Sequence, residues 1–130
     1  MLLAVSLFAF TSQAVAADIE VGDLVVTEFM AKPAVADYFG EWIEIYNSSR
    51  RNLDLNGLQI QGTSGEDAGF EITGSTVLPA GGYIVLGPSD DQTINGGVDV
   101  DLTYDFVDFE IKKAGDTIRL AYDGVTIDQV

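Results

Sequence analysis

Apolar residues recur along this chain at every second position, in short runs broken by Gly, Pro, Asn and Asp. Alternation of that kind predicts half-buried β-strands joined by tight turns. The first run, Leu24 to Met30, holds the β-branched Val25, Val26 and Thr27 and stops at Lys32-Pro33, where proline ends ladder pairing. Ala34 to Gly40 reads as a connector. Glu41 to Tyr46 reads as a second strand that carries the only tryptophan, Trp42, and closes in the polar turn Asn47 to Asn52. Trp42 is expected in the core, where its truncation would cost on the order of 3–5 kcal/mol.

Further along, Leu53-Asp54-Leu55 and Leu58-Gln59-Ile60-Gln61 alternate on either side of Asn56-Gly57, a turn pair suited to positive φ. Gly62 to Gly69 is a polar loop, Phe70-Glu71-Ile72 a short strand, and Tyr83 to Leu86 an apolar run expected to be buried on both faces. Gly87 to Gly97 is a second loop. Val100, Leu102, Tyr104 and Phe106 then share one phase, but Val107, Phe109 and Ile111 take the opposite one. A one-residue slip reverses the faces, so a bulge or a crossing between sheets is expected near Phe106-Val107. Thr117 to Tyr122 and Val125 to Val130 flank Asp123-Gly124 as a closing hairpin. After the first 17 residues no helical periodicity is sustained over a dozen positions. The fold class is therefore all-β, a sandwich or a small barrel.

Composition narrows the picture. At 130 residues, with 14 Gly, the chain suits one domain rather than two. Met1 to Ala17 has no charged residue, an apolar stretch over Leu2 to Phe10, and the small residues Ala14, Ala16 and Ala17 at its end. It reads as a signal peptide, residues 1–17, cut near Ala17-Asp18. Its lack of an early Lys or Arg is compatible with a start upstream of Met1. Residues 18–130 form the domain, and because the chain closes inside its last strand this domain reads as part of a longer polypeptide, incomplete at its C-terminal edge. A net charge of −15 repels phosphate backbones and anionic lipid. Direct nucleic-acid binding and, once the signal is removed, membrane binding are not expected. With no Cys there is no disulfide framework, and with no His or Cys zinc has no suitable ligand set.

Four segments resemble the lamin tail domain family: Val25-Val26-Thr27-Glu28-Phe29-Met30, Glu41-Trp42-Ile43-Glu44-Ile45-Tyr46-Asn47, Leu53-Asp54-Leu55-Asn56-Gly57-Leu58 and Leu78-Pro79-Ala80-Gly81-Gly82-Tyr83-Ile84-Val85-Leu86. The closing stretch Gly115-Asp116-Thr117-Ile118-Arg119-Leu120 with Asp123-Gly124 is similar as well. The resemblance implies an immunoglobulin-like two-sheet β-sandwich. A signal peptide without a heptad segment points to a prokaryotic exported branch, secreted or on the cell surface, in which such domains accompany nucleases, phosphatases or surface proteins as covalent neighbours. No catalytic residue of the family can be transferred.

The chemistry in the residues is sparse. Glu28 and Glu44, on strands expected to pair and on the faces shared with Val26 and Met30 and with Trp42 and Tyr46, could act as an acid/base couple. No His, Cys, nucleophile elbow or phosphate loop accompanies them, so a structural role is the stronger expectation. Asp91 to Gly97 loosely resembles a calcium loop, but Leu102 stands where a bidentate Glu is needed. That leaves a looser calcium site among Asp90, Asp91, Asn95, Asp99 and Asp101. Tyr38, Phe39, Tyr83, Tyr104 and Tyr122 could stack on sugars, though in so small a domain most should serve the core. Asn47-Ser48-Ser49 fits a glycosylation triplet, which arises readily by chance. The leading expectation is a non-catalytic extracellular interaction or spacer module with a protein or surface-glycan partner and no cofactor other than calcium. The alternative is a calcium-dependent carbohydrate-binding module, and an enzyme built on the two glutamates ranks third.

Overall fold

The computed structural model describes residues 17–62 and 69–130. The proposed signal peptide up to Ala16, and most of the 62–69 loop, lie outside the described residues. Among the described residues ten strands and one helical turn follow in the order β1 (Leu24–Met30), α1 (Asp37–Gly40), β2 (Trp42–Asn47), β3 (Leu53–Asp54), β4 (Gln59–Gly62), β5 (Phe70–Glu71), β6 (Val77–Leu78), β7 (Tyr83–Gly87), β8 (Leu102–Thr103), β9 (Ile118–Tyr122) and β10 (Val125–Gln129).

They make two four-stranded sheets, β1-β2-β7-β8 and β10-β9-β4-β5, with a small ribbon of β3 and β6. All pairings are antiparallel except β7 with β8. The inward positions of the first sheet include Leu24, Val26, Ile43, Ile45, Ile84 and Leu86; those of the second include Ile60, Ile118, Leu120 and Ile127. Leu53, Leu55, Leu58, Ile72 and Leu78 extend the same core into the ribbon and its turns. The β9–β10 hairpin turns on Asp123 and Gly124, whose φ values of 47° and 77° are the paired positive angles of a type I′ turn. Gly40 is needed for space: a Cβ there would lie 2.3 Å from Val35 Cγ2 and 2.8 Å from Pro33 Cβ.

The structure corrects four expectations. In β2 the buried phase is Glu41, Ile43, Ile45 and Asn47, while Trp42, Glu44 and Tyr46 are half-buried on the outer face. The two isoleucines register with Leu86 and Ile84, and the opposite phase would bury an ionised glutamate between two aromatic rings. Trp42 is thus not the centre of the core, and its truncation should cost less than a buried large residue would. Strand β7 is buried on one face only, with Tyr83 57% exposed, because Tyr83 pairs with Tyr46 on the outer face. Glu28 does not share a face with Val26, since a bulge between them turns the strand over. Finally, the slip at Phe106-Val107 is a turn rather than a bulge within a strand. Asp105 starts it, its carboxylate accepting the Val107 amide at 2.9 Å and its carbonyl accepting the Asp108 amide at 2.9 Å.

Candidate functional site

Among the described residues three polar side chains are buried: Glu41, Asn47 and Asn95. Each occupies a position where a loop must be tied to a strand. Glu41 follows α1, its backbone N–H donating to the Asp37 carbonyl at 3.2 Å, and its carboxylate enters the core. The Tyr104 hydroxyl donates to Oε1 at 2.7 Å and the Ile111 amide to Oε2 at 3.1 Å. Tyr104 in turn stacks on Phe70, with ring centroids 4.6 Å apart, and meets Phe109 edge-on. Burial raises the Glu41 carboxyl to about 7, aided by the charges of Glu110 and Asp37, with the two hydrogen bonds opposing. The Tyr104 hydroxyl is likewise pushed well above the usual phenol range, first by burial and then by Glu41.

A buried carboxyl near neutrality beside a tyrosine has the ingredients of an acid/base site. Here both oxygens are already occupied and the residue is 1% exposed. Its geometry is that of a fastening between β2 and the 104–111 segment.

Asn47, at 0% exposure, is fully engaged. Its amide nitrogen donates to the carbonyls of Arg51, Leu78 and Pro79 at 2.8, 3.0 and 3.1 Å, and its oxygen accepts from the Ser49 amide and hydroxyl. This arrangement fixes the turn after β2 against the one before β7 and takes the Asn47 side chain into the interior. Asn95 does the same within its own loop: its nitrogen donates to the carbonyls of Ser89 and Val98, and its oxygen accepts the amides of Gly97 and Val98.

The other residues of the calcium expectation are spread around that loop. The Asp91 carboxylate accepts the Thr93 hydroxyl at 2.6 Å and its amide at 2.9 Å, which holds its carboxyl below the usual range. Asp99 accepts from the Gln92 side chain, and Asp101 accepts the Val85 amide at 2.8 Å on the flank of β7. Asp90 is exposed. Among the described residues, no three acidic, His or Cys side chains come together in a way that could hold a metal ion.

Glu28 and Glu44 are brought together, as register partners on the outer face of β1 and β2. The Thr27 hydroxyl donates to Glu44 Oε1 at 2.7 Å. The five aromatic residues considered for sugar stacking are dispersed. Tyr104 is in the core, Tyr38 and Phe39 lie on α1, and Tyr83 is on the outer sheet face. Tyr122 lines a groove of about 800 Å³ between the 18–21 segment and the β9–β10 turn.

The alternation along β2 bears on Glu41 as well, at the position just before the strand. Glu41 stands in the same period-two phase as Ile43, Ile45 and Asn47, so placing the two isoleucines inward carries an acid and an amide inward with them. Its partners, 63 and 70 residues away, are beyond the reach of any local pattern.

Two packed, largely antiparallel sheets with inward aliphatic rows define an immunoglobulin-like β-sandwich. Residues 18–130 match the model of the Lamin Tail Domain, and the chain belongs to that family. This is an immunoglobulin-like interaction domain, and the family is generally non-enzymatic. No match to a curated protein was found. Among the described residues no helix is long and apolar enough to cross a membrane.

Proposed function

We propose that this domain is a non-catalytic interaction or spacer module of a longer secreted or surface protein of prokaryotic type. The observation that carries the reading is the use made of its polar groups. The three buried ones are consumed in fastening loops to strands, while an outer sheet face with half-exposed aromatic residues is left open. Such a build supplies a stiff body and a contact surface. The uncharged, small-residue-terminated start of the chain supports export.

Two measurements on the full chain test this. A tagged protein expressed in bacteria should be released or be digested by protease added to intact cells; full protection inside the cell would overturn the extracellular part. Purified protein should turn over neither nitrophenyl glycosides nor phosphoesters. Turnover that disappears in Glu28→Gln or Glu44→Gln would restore the paired-carboxylate enzyme.

A further inference from the structure

The outer face of the β1-β2-β7 sheet carries an arrangement that its own fold does not explain. Strand register sets Glu28 opposite Glu44, Met30 opposite Trp42, and Tyr46 opposite both Val25 and Tyr83. Along β2 the side chains of Trp42, Glu44 and Tyr46 follow one another on this face at steps of about 7 Å. Two carboxylates are therefore placed directly across a strand pair and flanked by aromatic rings. Like charges in that position destabilise a sheet. Glu44 has the Thr27 hydroxyl as a donor; among the described residues the Glu28 carboxylate has no hydrogen bond and neither carboxylate forms an ion pair. A local rule broken without internal compensation marks a surface shaped for something else.

The chemistry of that complement is narrow. Two carboxylates among rings and Val85 offer too few oxygens for calcium, which takes six to eight. An anionic or neutral partner would leave the repulsion in place. A guanidinium answers both features, because its planar fork donates to two carboxylates and its face stacks on aromatic rings. Resting on the interaction-module reading above, we propose that this face binds an arginine-bearing segment of a protein partner. The guanidinium is held by Glu28 and Glu44 in the row between Trp42 and Tyr46, and the neighbouring residues of the segment pack against Tyr83.

The test is a titration of the isotopically labelled full chain with a capped peptide of alternating Arg and Ser, followed by amide NMR shifts, with the citrulline counterpart as control. The expected result is saturable shifts confined to β1, β2 and β7. Affinity should fall at least about tenfold in Glu28→Gln/Glu44→Gln, roughly the loss of one charge-assisted contact. The control should cause none of these shifts. The same double variant, relieved of its repulsion, should melt about 1–4 °C higher than the parent, a readout that needs no ligand. Tyr83→Ala should weaken the peptide while the protein still folds.

Shifts scattered over the acidic surface and insensitive to the double variant would overturn the proposal, as would a double variant less stable than the parent. Binding centred on the Tyr122 groove would overturn this face and leave the module reading standing. That reading fails separately, on turnover or on protease protection.

Discussion

Glu41 sets a pH dependence that most surface carboxylates would not. Its carboxyl is raised to about 7 in the folded domain, against 4.5 as its ordinary value, so between those limits the native state holds a proton that the unfolded chain releases. The stability this confers is fully present below about 4.5 and is lost as pH rises through about 7. It is worth on the order of 3 kcal/mol. Asp54 and Asp91 act in the opposite sense: hydrogen bonds led by the Ser75 and Thr93 hydroxyls lower them, and their contribution is lost as pH falls below the ordinary aspartate range. Melting curves taken from pH 4 to 8 should show maximum stability near pH 5. In Glu41→Gln the decline from pH 5 to 7 should flatten; an unchanged slope would show that another group titrates. Asp91 bonds locally, to Thr93 two residues on, as Asx turns do, whereas Ser75, which leads for Asp54, lies 21 residues away in the sequence. The sequence concealed Glu41, whose role depends on Tyr104 and Ile111 arriving from a distant segment.

At the level of elements, aspartates also complete the strands. On β1 the Val26 amide donates to the Asp128 carboxylate at 2.8 Å, and on β7 the Val85 amide donates to Asp101 at 2.8 Å. Asp128 takes up an N–H on the outer strand β1 that another chain could otherwise pair with, and Asp101 takes up one on β7 beside its short pairing with β8. Replacing Asp128 with Ala leaves that part-buried donor unmade, at a cost of about 1–2 kcal/mol. Denaturant unfolding should show that loss, and sedimentation at high concentration should show more dimer than the parent; a monomer of unchanged stability would count against the capping role. Strand positions were readable from alternation and turn chemistry, including the Asp123-Gly124 hairpin. The faces were not, because in β2 both phases hold large apolar residues and only the register with Ile84 and Leu86 decides between them. The bulge at Thr27 was invisible for the same reason: a single extra residue changes no composition, yet it moves Glu28 to the outer face beside Glu44.

Across the whole molecule, a charge of −15 on so small a body opposes compactness through self-repulsion. Raising sodium chloride from 0.05 to about 0.5 M, which shortens the screening length severalfold, should therefore raise the melting temperature. Calcium added at constant ionic strength is expected to add nothing saturable to that rise. A saturable increment lost in Asp91→Asn would overturn this and give the 90–101 loop a cation. The family and the all-β architecture were legible from the strand segments around Trp42 and Tyr83. The open face became legible only once register had placed Glu28, Glu44 and the tyrosines side by side.

The bond from Val26 to Asp128 spans 102 residues, and the Gly22 amide reaches the Ile127 carbonyl beside it. The first strand of the domain is thus finished by the last. A chain emerging from the ribosome or from a translocation channel must hold β1 open until β10 has followed it out, because contacts of such long range form only after the intervening loop closes. Until then β1 has its pairing with β2 but lacks the outer bond from Val26 to Asp128. The domain's assembly is timed by the appearance of its C-terminal hairpin.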